Sequence, residues 1–280
     1  IQSSLAIENN TLSLEQVTDV LNGKRVLGPQ DDILAVKNAF AVYKMLSELD
    51  PFSLEDLKKA HGVMMNGLVE GSGELRTGSV GVINEQGKVI HVAPPHGMVK
   101  GLMEQLFDWL KASKTQMLIR SSIFHYEFEF IHPFMDGNGR TGRLWQTALL
   151  ASWKPIFEWI PIESIIKDNQ EEYYRAIGIS TAEGKSNRFI LFMLSVIKKA
   201  VAELARDTYN HQSHISNQIR ALMSVIETYP MSAVELMEKL GLKSRVTFRK
   251  NYIQPALEAG LIAMTDPDTP TNRNQRYFKV

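Results

Sequence analysis

Residues 117–131 and 141–153 are two apolar, helix-patterned segments, and the stretch HPFMDGNGRTGR at 132–143 breaks them apart. Pro133 has no amide hydrogen, and its ring clashes with the preceding turn, so one helix cannot run through. It also drives His132 out of the α region. The first segment carries Leu118, Ile119, Ile123, Phe124, Phe128, Phe130 and Ile131, and the second Leu144, Trp145, Ala148 and Leu149. Two buried helices must therefore meet at a sharp bend, with His132 mounted at the end of a rigid rod. A turn needs one or two polar or flexible residues. This one holds a histidine, an aspartate, an asparagine, two arginines and three glycines.

Those residue types suit phosphate chemistry. The helix that starts at 138–141 exposes unpaired N–H groups and a partial positive charge. Gly137 and Gly139 let a ligand come close to the backbone. Arg140 and Arg143, three apart, point the same way. Backbone donors with two guanidinium forks make a polyphosphate site. Asp136 is placed to hold a divalent cation that bridges phosphate oxygens, and His132 is the candidate general base. The bland alternative is a Gly/Asn turn with a core histidine and surface arginines. The Gly-Lys-Ser/Thr ending of the common nucleotide loop is missing, and His125 and His132 lie too far apart for a zinc helix motif.

The rest of the chain reads mainly helical. Helices are expected at 14–21, at 33–49, after a Ser53 cap, at 96–110, at 162–180 and at 187–209. Residues 79–95 break the pattern: Val80, Val82 and Ile83 alternate, then Val89, Ile90 and Val92, with 84–87 between them as a hairpin turn. His91 reads as a surface or packing residue. Residues 213–280 read as helix, turn, helix and two short strands around a polar loop, a winged helix-turn-helix pattern with nine basic and six acidic residues. That excess permits DNA binding through the second helix and the wing, or protein docking, and does not decide between them.

Composition narrows the class. Basic and acidic residues number 31 each, so no global field points to nucleic acid or membrane. The chain has no cysteine, which excludes disulfides, thiolate-ligated zinc and a thiol nucleophile. No apolar run approaches the roughly 20 residues of a membrane span.

Residues 132–143 resemble the signature of Fic-domain proteins, His-x-Phe-x-(Asp/Glu)-Gly-Asn-Gly-Arg-x-x-Arg, with every required position filled. The resemblance implies a helical bundle with a β-hairpin flap, which with the winged helix-turn-helix read at 213–280 makes a mainly α fold. It implies transfer of AMP from ATP to a protein hydroxyl, with Mg²⁺. His132 would deprotonate the target. Asp136 would hold the metal at the α- and β-phosphates. Asn138 with the amides of Gly137 and Gly139 would form the anion hole, Arg140 and Arg143 would hold the terminal phosphates, and Phe134 would anchor the loop. The flap, from Arg76 to about Val92, would bind a target protein as an added strand, and Tyr173 and Tyr174 would lie near the adenine.

Ser4, Glu8 and Asn9 match the family's inhibitory pattern, (Ser/Thr)-x-x-x-Glu-(Gly/Asn). In relatives that glutamate pairs with the second arginine of the motif, here Arg143. The expected organisation is an inhibitory helical region at 1–50, a catalytic core at 51–209 and the winged domain at 213–280. A homodimer and a cytoplasmic location are also expected. Rival readings are a DNA-binding regulator that senses nucleotide, an enzyme that removes AMP, and transfer of another nucleotide or of the terminal phosphate.

Overall fold

A computed structural model describes residues 1–83, 89–213, 217–267, 269, 272 and 274–280, with side chains described outside 82–91 and 207–216. The hairpin turn expected at 84–87, the side chain of His91 and the wing residues Asp268 and Arg273 lie outside the described residues. The chain divides into two compact units, residues 1–203 and 204–280.

The first unit opens with α1 (Gln2–Ile7), α2 (Leu14–Leu21), α3 (Gln30–Lys44) and α4 (Leu54–Met64). Ser13 and Gln16 form a reciprocal capping box on α2, and Ser53 caps α4 by accepting from the Asp56 amide. α3 starts at Gln30, three residues before the sequence reading, with Asp31 and Asp32 in its first turn where they complement the helix dipole. It ends at Lys44 and gives way to a 3₁₀ turn at Leu46–Glu48.

The hairpin follows as β1 (Gly81–Ile83) and β2 (Val89–Val92), antiparallel, with a register shift between Val82 and Ile83. Next come α5 (His96–Ala112), α6 (Met117–Ile131) and α7 (Asn138–Trp153). α6 buries residues from Met117 through Phe124 and Phe128 to Ile131, with Ile119 exposed near its start. α7 packs beside it and buries every residue from Thr141 to Leu150. Phe107 of α5 meets Phe124 edge to face at 5.4 Å, and Trp145 of α7 donates its indole N–H to the Pro51 carbonyl at 3.0 Å.

The helix expected at 162–180 is two helices, α8 (Ile162–Asp168) and α9 (Gln170–Glu183). Asn169 departs from helical geometry, and its side-chain amide donates to the Ile165 carbonyl at 2.7 Å. An asparagine offers the backbone this local alternative to the helix, which periodicity alone does not register. α10 (Asn187–Ser213) runs across the boundary between the units.

The second unit contains α11 (Asn217–Val225), β3 (Met231–Ser232), α12 (Ala233–Lys239), α13 (Arg245–Phe248), α14 (Gln254–Glu258), β4 (Ile262–Met264) and β5 (Arg276–Lys279). Its sheet is antiparallel in the order β3-β5-β4, with the short β3 an addition to the two strands expected. A π turn at Arg249–Ile253 joins α13 to α14. The next helix begins at Gln254 with Pro255 in its first turn, where a missing N–H and the bulk of the ring are absorbed by the wider turn. Leu222, Leu236 and Ala256, all fully buried, centre a separate apolar core.

Candidate active site

The bend between α6 and α7 is held from inside. His132 caps α6 in the left-handed region at φ 51°, off the helix as Pro133 requires. Its Nδ1 lies 3.4 Å from the Glu129 carbonyl and 4.0 Å from a Glu129 carboxylate oxygen. A proton on Nδ1 facing Glu129 leaves the Nε2 lone pair to act as a base. Phe134 is fully buried and stacks on His61 at 3.6 Å with the rings nearly parallel.

The Asn138 side chain, expected at the anion hole, is turned into the loop. It is buried, and its amide oxygen accepts from the Phe134 N–H while its amide nitrogen donates to the Phe134 carbonyl, both at 2.9 Å. With both ends engaged it staples the loop into a ring. Gly137 sits at φ 78°, where a Cβ would lie 2.5 Å from the Met65 sulfur, so only glycine fits.

His61 is a support the sequence reading missed. The Gly73 N–H donates to its Nδ1 at 2.8 Å, which leaves Nε2 to donate to the Asp136 carbonyl at 2.9 Å. That pair of bonds needs the neutral ring. Burial, joined by the Arg140 charge and opposed by the Asp136 carbonyl, lowers its pKa to about 4.

On the open side, Asp136 is exposed, and its Oδ1 accepts from the Gly137 N–H at 2.6 Å and from Arg140 at 3.2 Å. No cluster of three metal-ligating side chains occurs among the described residues. Mg²⁺ bound mainly by nucleotide phosphates and water needs only one or two carboxylates, and Asp136 beside Arg140 fits that pattern. The buried Nε of Arg140 has no hydrogen-bond partner among the described residues.

Arg143 is 2% exposed and held by α1 and its C-cap. Its Nε donates to the Ser4 hydroxyl at 3.1 Å, and one terminal nitrogen donates to the Ser4 carbonyl at 3.0 Å and to a Glu8 oxygen at 2.8 Å. Burial opposes the guanidinium charge, but Glu8, with help from Glu129, outweighs it and pushes the pKa up. The Glu8 carboxylate also covers Gly139, where a Cβ would lie 2.4 Å from it. Glu8 is the C-cap of α1, and Asn9 follows at φ 63°, a conformation asparagine tolerates. A cleft of about 180 Å³, lined in part by Glu8, Asp32, Asp136 and Arg140, remains beside them. Small-molecule sites usually need about 300–1,000 Å³.

α1 is fixed along its length. Leu5 and Ile7 are buried. Ser3 and Ser164 share a hydroxyl hydrogen bond at 3.0 Å, and Gln170 donates to the Ile7 carbonyl at 3.1 Å. Just beyond the helix, the Thr11 amide and hydroxyl both donate to the Asp32 carboxylate at 2.9 and 2.6 Å.

Two further results correct or extend the sequence reading. Tyr173 is buried against Phe189, with its hydroxyl 3.1 Å from His125 Nε2, so it belongs to the core and offers no surface to an adenine. Tyr174 keeps partial exposure beside it, and burial pushes its pKa up to about 12. Glu129 is a buried carboxylate between His125, 3.6 Å from one oxygen, and His132. Burial alone would raise its pKa, but His125, His132 and Arg143 together lower it. A Cβ on Gly142 would come within 2.7 Å of Glu129, so the glycine at 142 was the available signal for this buried acid.

A family model described as "Fic/DOC family" matches residues 51–150, and one described as "Filamentation induced by cAMP protein Fic-like, C-terminal domain" matches 217–278. The chain is 29% identical over 215 residues to the protein adenylyltransferase Fic of Culex quinquefasciatus, covering 72% of this chain and 40% of that one. It is likewise 29% identical over 194 residues to the protein adenylyltransferase fic-1 of Caenorhabditis elegans, covering 64% and 36%. The chain thus spans well under half the length of these curated relatives. Among solved structures, a Fic family protein from Desulfovibrio desulfuricans G20 superposes with a TM-score of 0.73 at 46% identity, covering all of this chain and 85% of that one.

Proposed function

The chain belongs to the Fic family, and from that premise we propose that it transfers AMP from ATP to a hydroxyl side chain of a protein, itself included, and that α1 holds it inactive. The observation that carries the reading is the convergence of His132, Asp136, Gly139, Arg140 and Arg143 on one bend between two buried helices, with Glu8 seated among them.

In this mechanism the His132 Nε2 takes the proton of the target hydroxyl as its oxygen attacks the α-phosphorus. The bond from that phosphorus to the bridging oxygen of the β-phosphate breaks. Pyrophosphate leaves, and AMP remains on the target as a phosphodiester. Asp136 would hold Mg²⁺, which would supply charge neutralisation to the phosphates. Arg140, whose Nε has no partner among the described residues, and Arg143, once freed, hold the terminal phosphates, and the start of α7 adds its partial charge. Glu8 blocks this in two ways: it occupies the Arg143 fork, and it places a carboxylate over Gly139 where an anion must sit.

The test uses α-labelled and γ-labelled ATP with the parent, Glu8→Gly and Glu8→Gly/His132→Ala proteins. The reading expects α-label, and no γ-label, retained on Glu8→Gly protein and lost with His132→Ala. Retained γ-label, or transfer that survives without His132, contradicts it. Release of AMP from a labelled target by the parent, abolished in Glu8→Gly, would support the removal reaction instead.

A further inference from the structure

Arg76 lies immediately before the hairpin and 56 residues from His132 in sequence, yet it is 4% exposed and touches both. Its Nε donates to the His132 carbonyl at 2.8 Å, and a terminal nitrogen reaches the Ile131 carbonyl at 3.3 Å. These are the last carbonyls of α6, which the helix cannot satisfy itself and whose partial negative charge favours a cation. The other donors go to the Gly78 carbonyl at 2.8 Å and to the Pro94 carbonyl, which flank the hairpin on either side. The Arg76 amide adds a bond to the Pro133 carbonyl at 2.9 Å. All these acceptors are backbone oxygens, so no other side chain substitutes for them.

We infer that Arg76 is a positioning residue that locks the His132 backbone and both ends of the hairpin to one guanidinium, so that a target strand docking on the hairpin is registered at the imidazole. This rests on the AMP-transfer reading, in which the hairpin edge takes up an extended segment of the target by strand addition. His132 is a non-glycine residue in the left-handed region, a conformation that persists only where its surroundings hold it. Arg76 grips the carbonyl of that residue. A shift of the hairpin ends must either break a bond to Gly78 or Pro94 or pull on His132. Lysine does not replace the clamp, because its three donors radiate from one nitrogen whereas the planar fork spans separated carbonyls.

The experiment places Arg76→Lys and Arg76→Gln in the Glu8→Gly protein and makes three measurements. These are Mg-ATP affinity by calorimetry, self-modification rate at saturating ATP, and hydrogen exchange of segments 78–83, 89–94 and 131–134. The inference expects ATP affinity within twofold of Glu8→Gly, a transfer rate at least tenfold lower, and exchange that rises in the hairpin and the 131–134 segments together. A transfer rate within twofold of Glu8→Gly overturns it, as does a rise in exchange confined to one of the two regions. Should Arg76→Gln fail to fold, the charge-retaining Arg76→Lys protein decides. Should Glu8→Gly itself transfer nothing, the AMP-transfer reading fails, while the exchange measurement still tests the clamp.

Discussion

At the scale of single residues, the bend depends on side chains that satisfy backbone groups inside it. Removing the Asn138 side chain leaves the Phe134 N–H and carbonyl unpaired in a buried site. Each such orphan costs about 1–3 kcal/mol, so Asn138→Ala should lower unfolding stability by roughly 2–6 kcal/mol. A urea titration checks this, and a loss below about 1 kcal/mol would mean that the ring of bonds is not maintained in solution. His61 gives a pH signature. Its folded pKa is about 4 against 6.5 for a free histidine, so between those values the unfolded chain binds the extra proton. Stability therefore rises with pH across that window and is lost as pH falls from 6.5 toward 4, by up to about 3 kcal/mol from this group. Urea midpoints at pH 7, 5.5 and 4.5 should show that slope, reduced in His61→Phe.

At the scale of elements, the proposed inhibition requires that α1 can leave without dismantling the core. Ile7 is 1% exposed, and trimming a buried isoleucine to alanine costs about 2–5 kcal/mol. If α1 docks as a separable element, Ile7→Ala should express that loss as release, raising self-modification severalfold while the main thermal transition moves little. A large drop in melting temperature with no gain in transfer would make α1 an ordinary part of the core. Much at this scale was legible in the sequence. The limits of α2 and α6, the two hairpin strands and the Ser53 cap follow from periodicity and turn residues, which are local signals. The pairing of Glu8 with Arg143 was expected instead from the resemblance to Fic-domain proteins, whose inhibitory pattern and central motif these two residues match. Arg76, Glu129 and His61 were not legible. Each acts on a partner brought near by the fold or by its place in a buried helix face, and an isolated arginine, glutamate or histidine looks like a solvated one. The hold of the Asn138 side chain on Phe134 was not legible either, since the spacing does not reveal that Phe134 turns its backbone back toward it.

At the scale of the whole molecule, the two units have separate cores, and the second carries its own exposed charge. Arg245, Arg249 and Lys250 lie exposed along α13 and the π turn, and Arg276 is exposed on β5. We propose this unit as a surface for duplex DNA. Fluorescence titration with random-sequence duplex should show an affinity that falls steeply between 50 and 200 mM salt, roughly tenfold or more for a few phosphate contacts. No binding at 50 mM salt would leave the unit as a protein-docking module. No helix among the described residues is long and apolar enough to cross a membrane.

The central claim is that Glu8 withholds Arg143 from the phosphates of ATP, and the most direct measurement is the initial rate of α-label incorporation in three proteins. The account predicts that Glu8→Gly exceeds the parent at least tenfold, and that adding Arg143→Ala to Glu8→Gly returns the rate to the parent level or below. Equal rates in the parent and Glu8→Gly, or a fast double variant that has no use for Arg143, would contradict it.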